Sequence, residues 1–121
     1  MAPSRSFLHP GLSTLLCAAM LVLAPPAARA DITIGLMVSA TGPTSAIGIP
    51  QRNTGEILPR TIGGERVRYV SLEDGGDATR AVQNVKKLIE EDHIDALIGQ
   101  ATTPNAFAIL DVVAEHEVPL M

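Results

Sequence analysis

Two groups of small polar residues in this sequence could bind a ligand. In the first, residues 39–48, four hydroxyl side chains fall within seven residues: Ser39, Thr41, Thr44 and Ser45. The second group, Gln100-Ala101-Thr102-Thr103, stands directly before Pro104. Hydroxyls and side-chain amides both donate and accept hydrogen bonds, so they suit a small polar or charged molecule. We therefore treat both groups as candidate binding residues.

The second group also marks a helix start. Thr103 can cap a helix that has Pro104 at its first position, and the free N–H groups of a first turn form the positive end of the helix dipole. With the Thr102 and Thr103 hydroxyls beside them, these groups could hold a small carboxylate without any Arg or Lys. The same spacing also fits ordinary helix capping, and residues 39–45 also fit a plain strand-to-helix turn.

Each group follows an apolar segment that predicts a buried strand. Residues 31–38 carry Ile32, Ile34, Leu36 and Val38 with only small or apolar residues between them, so neither face of this strand expects water. Residues 94–99 are short, apolar and flanked by turn residues, which indicates another interior strand. Gly42, Pro43 and Gly48 then let the chain turn sharply and allow the backbone to approach a bound molecule closely.

Strand and helix patterns alternate through the rest of the chain. Residues 66–73 predict a strand nearer the sheet edge, and residues 77–92, capped by Asp77, predict the clearest amphipathic helix. The other predicted elements are a weak helix over residues 47–60, a turn over residues 61–64, a helix from Thr103 to His116, and a new strand from Val118. The helix from Thr103 is predicted to have a core face formed by Phe107, Leu110, Val113 and Ala114. This βαβαβαβ order favours an α/β fold with a doubly wound parallel sheet. In strand order 2-1-3, the loops after the first and third strands border one crevice, where ligands bind in such sheets.

Residues 1–30 have the pattern of a cleaved export signal. Arg5 precedes an apolar run over residues 12–24, and Ala28-Arg29-Ala30 fits the small-x-small signal peptidase motif. About 13 apolar residues fall short of the roughly 20 that a membrane-spanning helix needs. A third interpretation is lipid attachment at Cys17, but the bulky and apolar residues around Cys17 do not suit that processing. The mature chain then starts at Asp31 and contains no cysteine.

Composition and missing motifs argue against several function classes. From Asp31 onward, 7 basic and 13 acidic residues give a formal charge of −6, which disfavours nucleic acid as a partner. There is no Gly-x-Gly-x-x-Gly or Gly-Lys-Ser/Thr loop for a nucleotide. Glu73 and Asp74 could accept a ribose or bind metal, but holding the adjacent turn and helix start is the simpler interpretation. His93 and His116 have no nucleophile partner in a recognisable motif, so we expect no catalytic residues, no metal site and no cofactor.

Taken in order, several short segments resemble the type I periplasmic binding proteins, and most of all their leucine/isoleucine/valine receptors. The segments are Ile34-Gly35, Thr41-Gly42-Pro43, Gly48, Ile62-Gly63-Gly64, Glu73-Asp74, Asp77, Ala81-Val82, Lys87-Leu88-Ile89, Ile98-Gly99 and Val118-Pro119-Leu120. The resemblance implies two α/β lobes that close on an amino acid, with the first lobe holding its carboxylate and ammonium groups. Residues 31–121 would be the N-terminal part of that first lobe, and the remainder would lie on a longer chain.

Carried over position by position, the resemblance implies a set of ligand contacts. The set comprises Thr41, Ser45, Ile47, Gln100, Ala101, Thr102 and Thr103. Ile47 departs from the family, in which several members place an aromatic residue against the ligand. The implied function is the periplasmic substrate-binding component of an ABC importer for branched-chain or related amino acids, with an inner-membrane permease as partner. The alternative is a sensor or regulatory lobe of the same fold for amides, urea or short-chain acids.

The signal-peptide interpretation makes a direct prediction about the exported protein. Because cleavage after Ala30 leaves Asp31 first, N-terminal sequencing of the protein recovered from the periplasm should read Asp-Ile-Thr-Ile-Gly. A membrane-embedded product that retains Met1 would contradict it.

Overall fold

A four-stranded, mostly parallel sheet forms the centre of the computed structural model, which describes residues 31–121. The predicted signal peptide, its cleavage after Ala30 and Cys17 lie outside the described residues. The strands are β1 (Ile32–Val38), β2 (Thr61–Ile62), β3 (Glu65–Glu73) and β4 (Ala96–Ile98), in the spatial order β2-β3-β1-β4. β1 is parallel to both β3 and β4, with Ile34 opposite Tyr69 on one side and Ala96 on the other. The predicted order of the three main strands is therefore confirmed.

Three helices cover the two faces of this sheet. They are α1 (Ser45–Ile57), α2 (Ala78–Glu90) and α3 (Thr103–Glu115), and a short 3-10 turn (Gly42–Thr44) leads into α1. Neighbouring residues of a strand point to opposite faces. Gly35 faces Leu88 of α2, whereas Leu36 faces Gly55 of α1. The helices thus lie on both sides, as in a doubly wound fold. Within residues 31–121, no helix is both long and apolar enough to cross a membrane.

The main core lies between the sheet and the pair α2 and α3. It consists of buried residues from β1, β4, both helices and the segment after α2: Met37, Ala81, Val85, Leu88, Ile94, Leu97, Ile109 and Val113. The apolar face predicted for α2 is therefore confirmed. Burying a side chain of this kind contributes about 1.5–3 kcal/mol. This core anchors α3, the helix whose first turn carries the second candidate group.

The predicted boundaries needed correction at two places. The turn predicted over residues 61–64 consists of Gly63 and Gly64 alone. Both glycines have positive φ and form the two-residue loop of a hairpin in which Thr61 pairs with Arg66. β2 is consequently a short antiparallel strand at the sheet edge. α1 runs from Ser45 to Ile57 and not from Ile47 to about Arg60. It ends early because Leu58, which precedes Pro59, is extended, as expected of a residue before proline.

The C-terminal residues pair with β4, as the sequence predicted for a new strand. The Leu97 N–H donates to the Pro119 carbonyl at 2.8 Å, and the Met121 N–H donates to the Leu97 carbonyl at 2.9 Å. Leu97 and Leu120 form a parallel bridge. β4 therefore has a parallel partner on each side.

An exposed ion pair lies at the start of β1. The Arg66 guanidinium donates to both carboxylate oxygens of Asp31, at 2.9 and 2.8 Å. The hydrogen bond and the charge of Asp31 raise the pKa of Arg66. Arginine is charged at all working pH values in any case, and a pair this exposed contributes little to stability.

Gly48 is the residue of α1 that touches the sheet most closely. A Cβ at this position would clash with the carbonyl carbon and oxygen of Ser39, which are backbone atoms that cannot rotate away. Gly48 is also the only buried residue of α1. Glycine is thus needed here for packing against β1, whereas the sequence suggested close approach to a ligand.

We expect Gly48→Ala to lower the free energy of unfolding by about 1–3 kcal/mol, because α1 must move away from Ser39. Gly55→Ala is the matched control in the same helix. Its Cβ would lie 2.9 Å from the rotatable Cδ1 of Leu36, and alanine favours the helix by about 1 kcal/mol. Urea unfolding of the full-length protein measures both effects. Equal stability of the two variants would show that the close contact between Gly48 and Ser39 does not determine the free energy of unfolding.

Candidate functional site

An open cavity of about 360 Å³ lies at the start of α3. It is lined by the whole second candidate group and by one face of the helix: Gln100, Ala101, Thr102, Thr103, Ala106, Phe107 and Leu110. None of these side chains is charged. One end is polar, with hydroxyls and an amide, and the other end is apolar. Such a cavity fits a molecule with a small polar head and an apolar body.

The first turn of α3 differs from the prediction. Thr102, not Thr103, is the N-cap residue, and Pro104 is the second helical residue instead of the first. The Thr102 side chain makes no capping hydrogen bond. The physical reason is that Thr102 has the extended backbone typical of an N-cap (φ −129°, ψ 145°), while Thr103 has already entered the helix. The hydroxyl at the cap is consequently not used by the helix itself.

Gln100 adds a second uncommitted group to the same cavity wall. Both its side-chain oxygen and its side-chain nitrogen are shielded from solvent and have no hydrogen-bond partner among residues 31–121. A shielded amide without partners costs free energy, typically about 1–3 kcal/mol for each unpaired group. Among the described residues, the polar end of the cavity therefore combines an unpaired amide with a cap hydroxyl that makes no capping bond.

The structure does not bring the first candidate group into this cavity lining. Thr41 lines a separate cavity between α1 and the sheet, and its N–H and hydroxyl both donate to Glu73 at 3.3 Å. Ser45 is the first residue of α1, and Ile47, also in the first turn, is 53% exposed. Of the predicted contacts, Gln100, Ala101, Thr102 and Thr103 thus share one cavity. Thr41, Ser45 and Ile47 lie outside its lining.

Glu73 holds the loop after β1. Its carboxylate accepts hydrogen bonds from the N–H of Ala40 at 2.6 Å and the N–H of Gly75 at 2.7 Å, in addition to those from Thr41. These contacts support the interpretation that Glu73 is structural. Because both the loop after β1 and the turn after β3 bond to one carboxylate, they keep a fixed relative position.

Asp74 joins three segments in a fully buried cluster. One carboxylate oxygen accepts from the Ser39 hydroxyl at 2.5 Å and from the Gly76 N–H at 2.8 Å. The other oxygen accepts from the side-chain amide of Asn105 at 3.1 Å. Ser39 and Asp74 are 0% exposed and Asn105 is 1% exposed. The ends of β1 and β3 and the first turn of α3 therefore meet at this carboxylate.

Sequence reasoning missed this cluster and the apolar end of the cavity. Ser39 was included among the candidate binding residues, but its hydroxyl donates a hydrogen bond to Asp74. Asn105 could have drawn notice as a polar residue early in a mostly apolar helix. Phe107 and Leu110, predicted on the core face of α3, are instead 69% and 43% exposed and line the cavity. Phe107 lies one turn after Thr103, and positions i and i+4 share a helix face.

A family profile described as "Periplasmic binding protein" matches residues 31–121. A Leu/Ile/Val-binding protein of Rhizobium johnstonii is 33% identical over 99 residues, covering 77% of this chain and 27% of that protein. A Leu/Ile/Val-binding protein homolog of Brucella melitensis is 32% identical over 98 residues, covering 76% of this chain and 26% of that protein.

Solved structures of ligand-binding and substrate-binding proteins resemble the fold of this chain. An extracellular ligand-binding receptor from Rhodopseudomonas palustris is 46% identical with a TM-score of 0.75, covering 77% of this chain and 26% of that one. A branched-chain amino acid transporter substrate-binding protein from Streptococcus pneumoniae, solved with isoleucine, has a TM-score of 0.63 at 20% identity. It covers 75% of this chain and 28% of that one, and shows the likeness of fold alone. The chain spans about a quarter of the length of the relatives it matches. Because the family profile matches every described residue, the chain belongs to the periplasmic binding protein family.

Proposed function

We propose that this chain contributes part of the ligand-binding lobe of a substrate-binding protein that delivers branched-chain or related amino acids to an ABC transporter. The curated relatives are named for binding leucine, isoleucine and valine, which supports this ligand class. The observation that carries the proposal is the cavity at the start of α3, with its free cap hydroxyl and its uncharged lining.

The ligand carboxylate would bind at the polar end of this cavity. Thr102 and Thr103 offer hydroxyls, and the first turn of α3 offers backbone N–H groups at the positive end of the helix dipole. Pro104 has no N–H, so the donors come from the residues on either side of it. A carboxylate held by neutral donors needs no basic residue, which fits the lining. The apolar end, with Phe107 and Leu110, would accommodate carbon atoms of the ligand.

Capture and closure would then perform the transport role without any covalent chemistry. In the complete protein, a second lobe would close over the ligand and expel water, which strengthens the polar contacts. The closed form would be the one that the permease in the inner membrane recognises. The protein would be exported to the periplasm with cleavage of the signal peptide after Ala30, and residues 31–121 would be the N-terminal part of the first lobe.

Thr102→Val should separate binding from folding. Loss of a hydroxyl that bonds a charged carboxylate costs about 1.5–3 kcal/mol, or about 10- to 150-fold in affinity. Stability should change by no more than about 0.5 kcal/mol, because this hydroxyl makes no capping bond. Thr103→Val should weaken binding in the same way. Calorimetric titration of the full-length protein with leucine, isoleucine and valine, alongside thermal unfolding, measures both quantities.

Thr79→Val is the matched control, since Thr79 is an exposed residue in the first turn of α2, away from the cavity lining. The affinity of Thr79→Val for leucine, isoleucine and valine should equal that of the parent. If Thr102→Val and Thr103→Val both bind as tightly as the parent, the carboxylate is held elsewhere and the proposed site is wrong.

A further inference from the structure

Asn105 connects the proposed binding turn to the rest of the sheet. It is the third residue of α3, two positions after Thr103, and its side-chain amide donates to Asp74. Through the same carboxylate it is joined to the Ser39 hydroxyl at the end of β1. The start of α3 is therefore fixed by a side chain that points away from the proposed ligand contacts, into a buried cluster.

The remaining contacts of α3 do not fix its first turn. Ile109 and Val113, the residues of α3 in the main core, lie at the middle of the helix and one turn further on, beyond its first turn. Packing between apolar side chains is not directional, so it holds the helix against the sheet but resists small rotations only weakly. A hydrogen bond to a buried carboxylate depends on distance and angle. The bond from Asn105 is thus a directional contact between the first turn of α3 and the end of β3.

We propose that Asn105 is a positioning residue for ligand binding. Through Asp74 it holds the first turn of α3 in the orientation that receives the ligand carboxylate. This inference rests on the proposed function, because it concerns the same site. Because Asn105 bonds Asp74 through its side chain, its backbone N–H remains available to a ligand together with the other N–H groups of the first turn. A site held ready in this way binds more tightly because the ligand does not have to order it.

Asn105→Ala and Asn84→Ala form a matched pair for testing this role. Asn84 also extends from a helix to the end of β3, where its amide donates to the Glu73 carbonyl at 3.0 Å, but it lies on α2. Both variants lose one amide hydrogen bond and should melt at lower temperature than the parent. Titrated with L-leucine well below the melting temperature, Asn105→Ala should bind about 5- to 30-fold more weakly, and Asn84→Ala within about twofold of the parent.

A double-mutant cycle distinguishes positioning from loss of stability alone. If Asn105 acts through the first turn of α3, its replacement should weaken binding less when Thr102 is already valine, because one of the groups that it orients is gone. Additive losses of affinity would overturn the proposal. Parent-like affinity of folded Asn105→Ala would also overturn it.

Ser39→Ala provides a milder variant in case Asn105→Ala does not fold. It removes one hydrogen bond to Asp74 but keeps those from Gly76 and Asn105. The expected loss of leucine affinity is about threefold or more. Unchanged affinity would then decide against the proposal. A parent that binds none of leucine, isoleucine and valine would instead refute the proposed ligand class, and normal binding by both Thr102→Val and Thr103→Val would refute the proposed site.

Discussion

The buried carboxylate of Asp74 is the constraint on which the rest of the structure depends. A carboxylate removed from water is tolerated only when hydrogen bonds replace its hydration, and here three donors do so: Ser39, Gly76 and Asn105. Those donors come from the end of β1, the turn after β3 and the first turn of α3. Since each bond has strict geometric limits, the three segments can meet in only one arrangement. The shape of the sheet's C-terminal edge follows from this requirement.

Close backbone packing acts together with the carboxylate at the same edge. Ser39 donates its hydroxyl to Asp74, while its carbonyl group lies against Gly48 of α1. One residue therefore links α1 to the cluster that orients α3. Glu73 adds bonds to Ala40, Thr41 and Gly75, so most polar groups of the first loop are used within the protein. In that loop Ser39, Thr41 and Thr44 use their hydroxyls in hydrogen bonds, whereas Thr102 in the second loop makes no capping bond, which supports the proposed site at α3.

Much of the fold could be predicted from the sequence because it depends on local patterns. The uncharged run of β1 indicated an interior strand, and the spacing of Ala81, Val85 and Leu88 indicated the buried face of α2. The partners of individual hydroxyls could not be predicted. Ser39 and Asp74 are 35 residues apart, and a hydroxyl used by a distant carboxylate looks the same in sequence as one free to bind a ligand. Likewise, whether Thr102 or Thr103 caps α3 depends on backbone angles, not on residue type.

The two faces of the sheet are packed unequally, and this difference bears on where a ligand can be held. On one side, α2 and α3 enclose a continuous core. On the other side, α1 buries only Gly48, and cavities of about 410 and 220 Å³ lie between it and the sheet. Elements with few buried contacts open more readily than the core. A binding group on α1 would therefore be held by fewer buried contacts, whereas one at the start of α3 belongs to a helix that is part of the main core and is also bonded to Asp74. Because binding is tighter when the site is already ordered, this packing supports the proposal that the α3 loop contacts the charged end of a ligand.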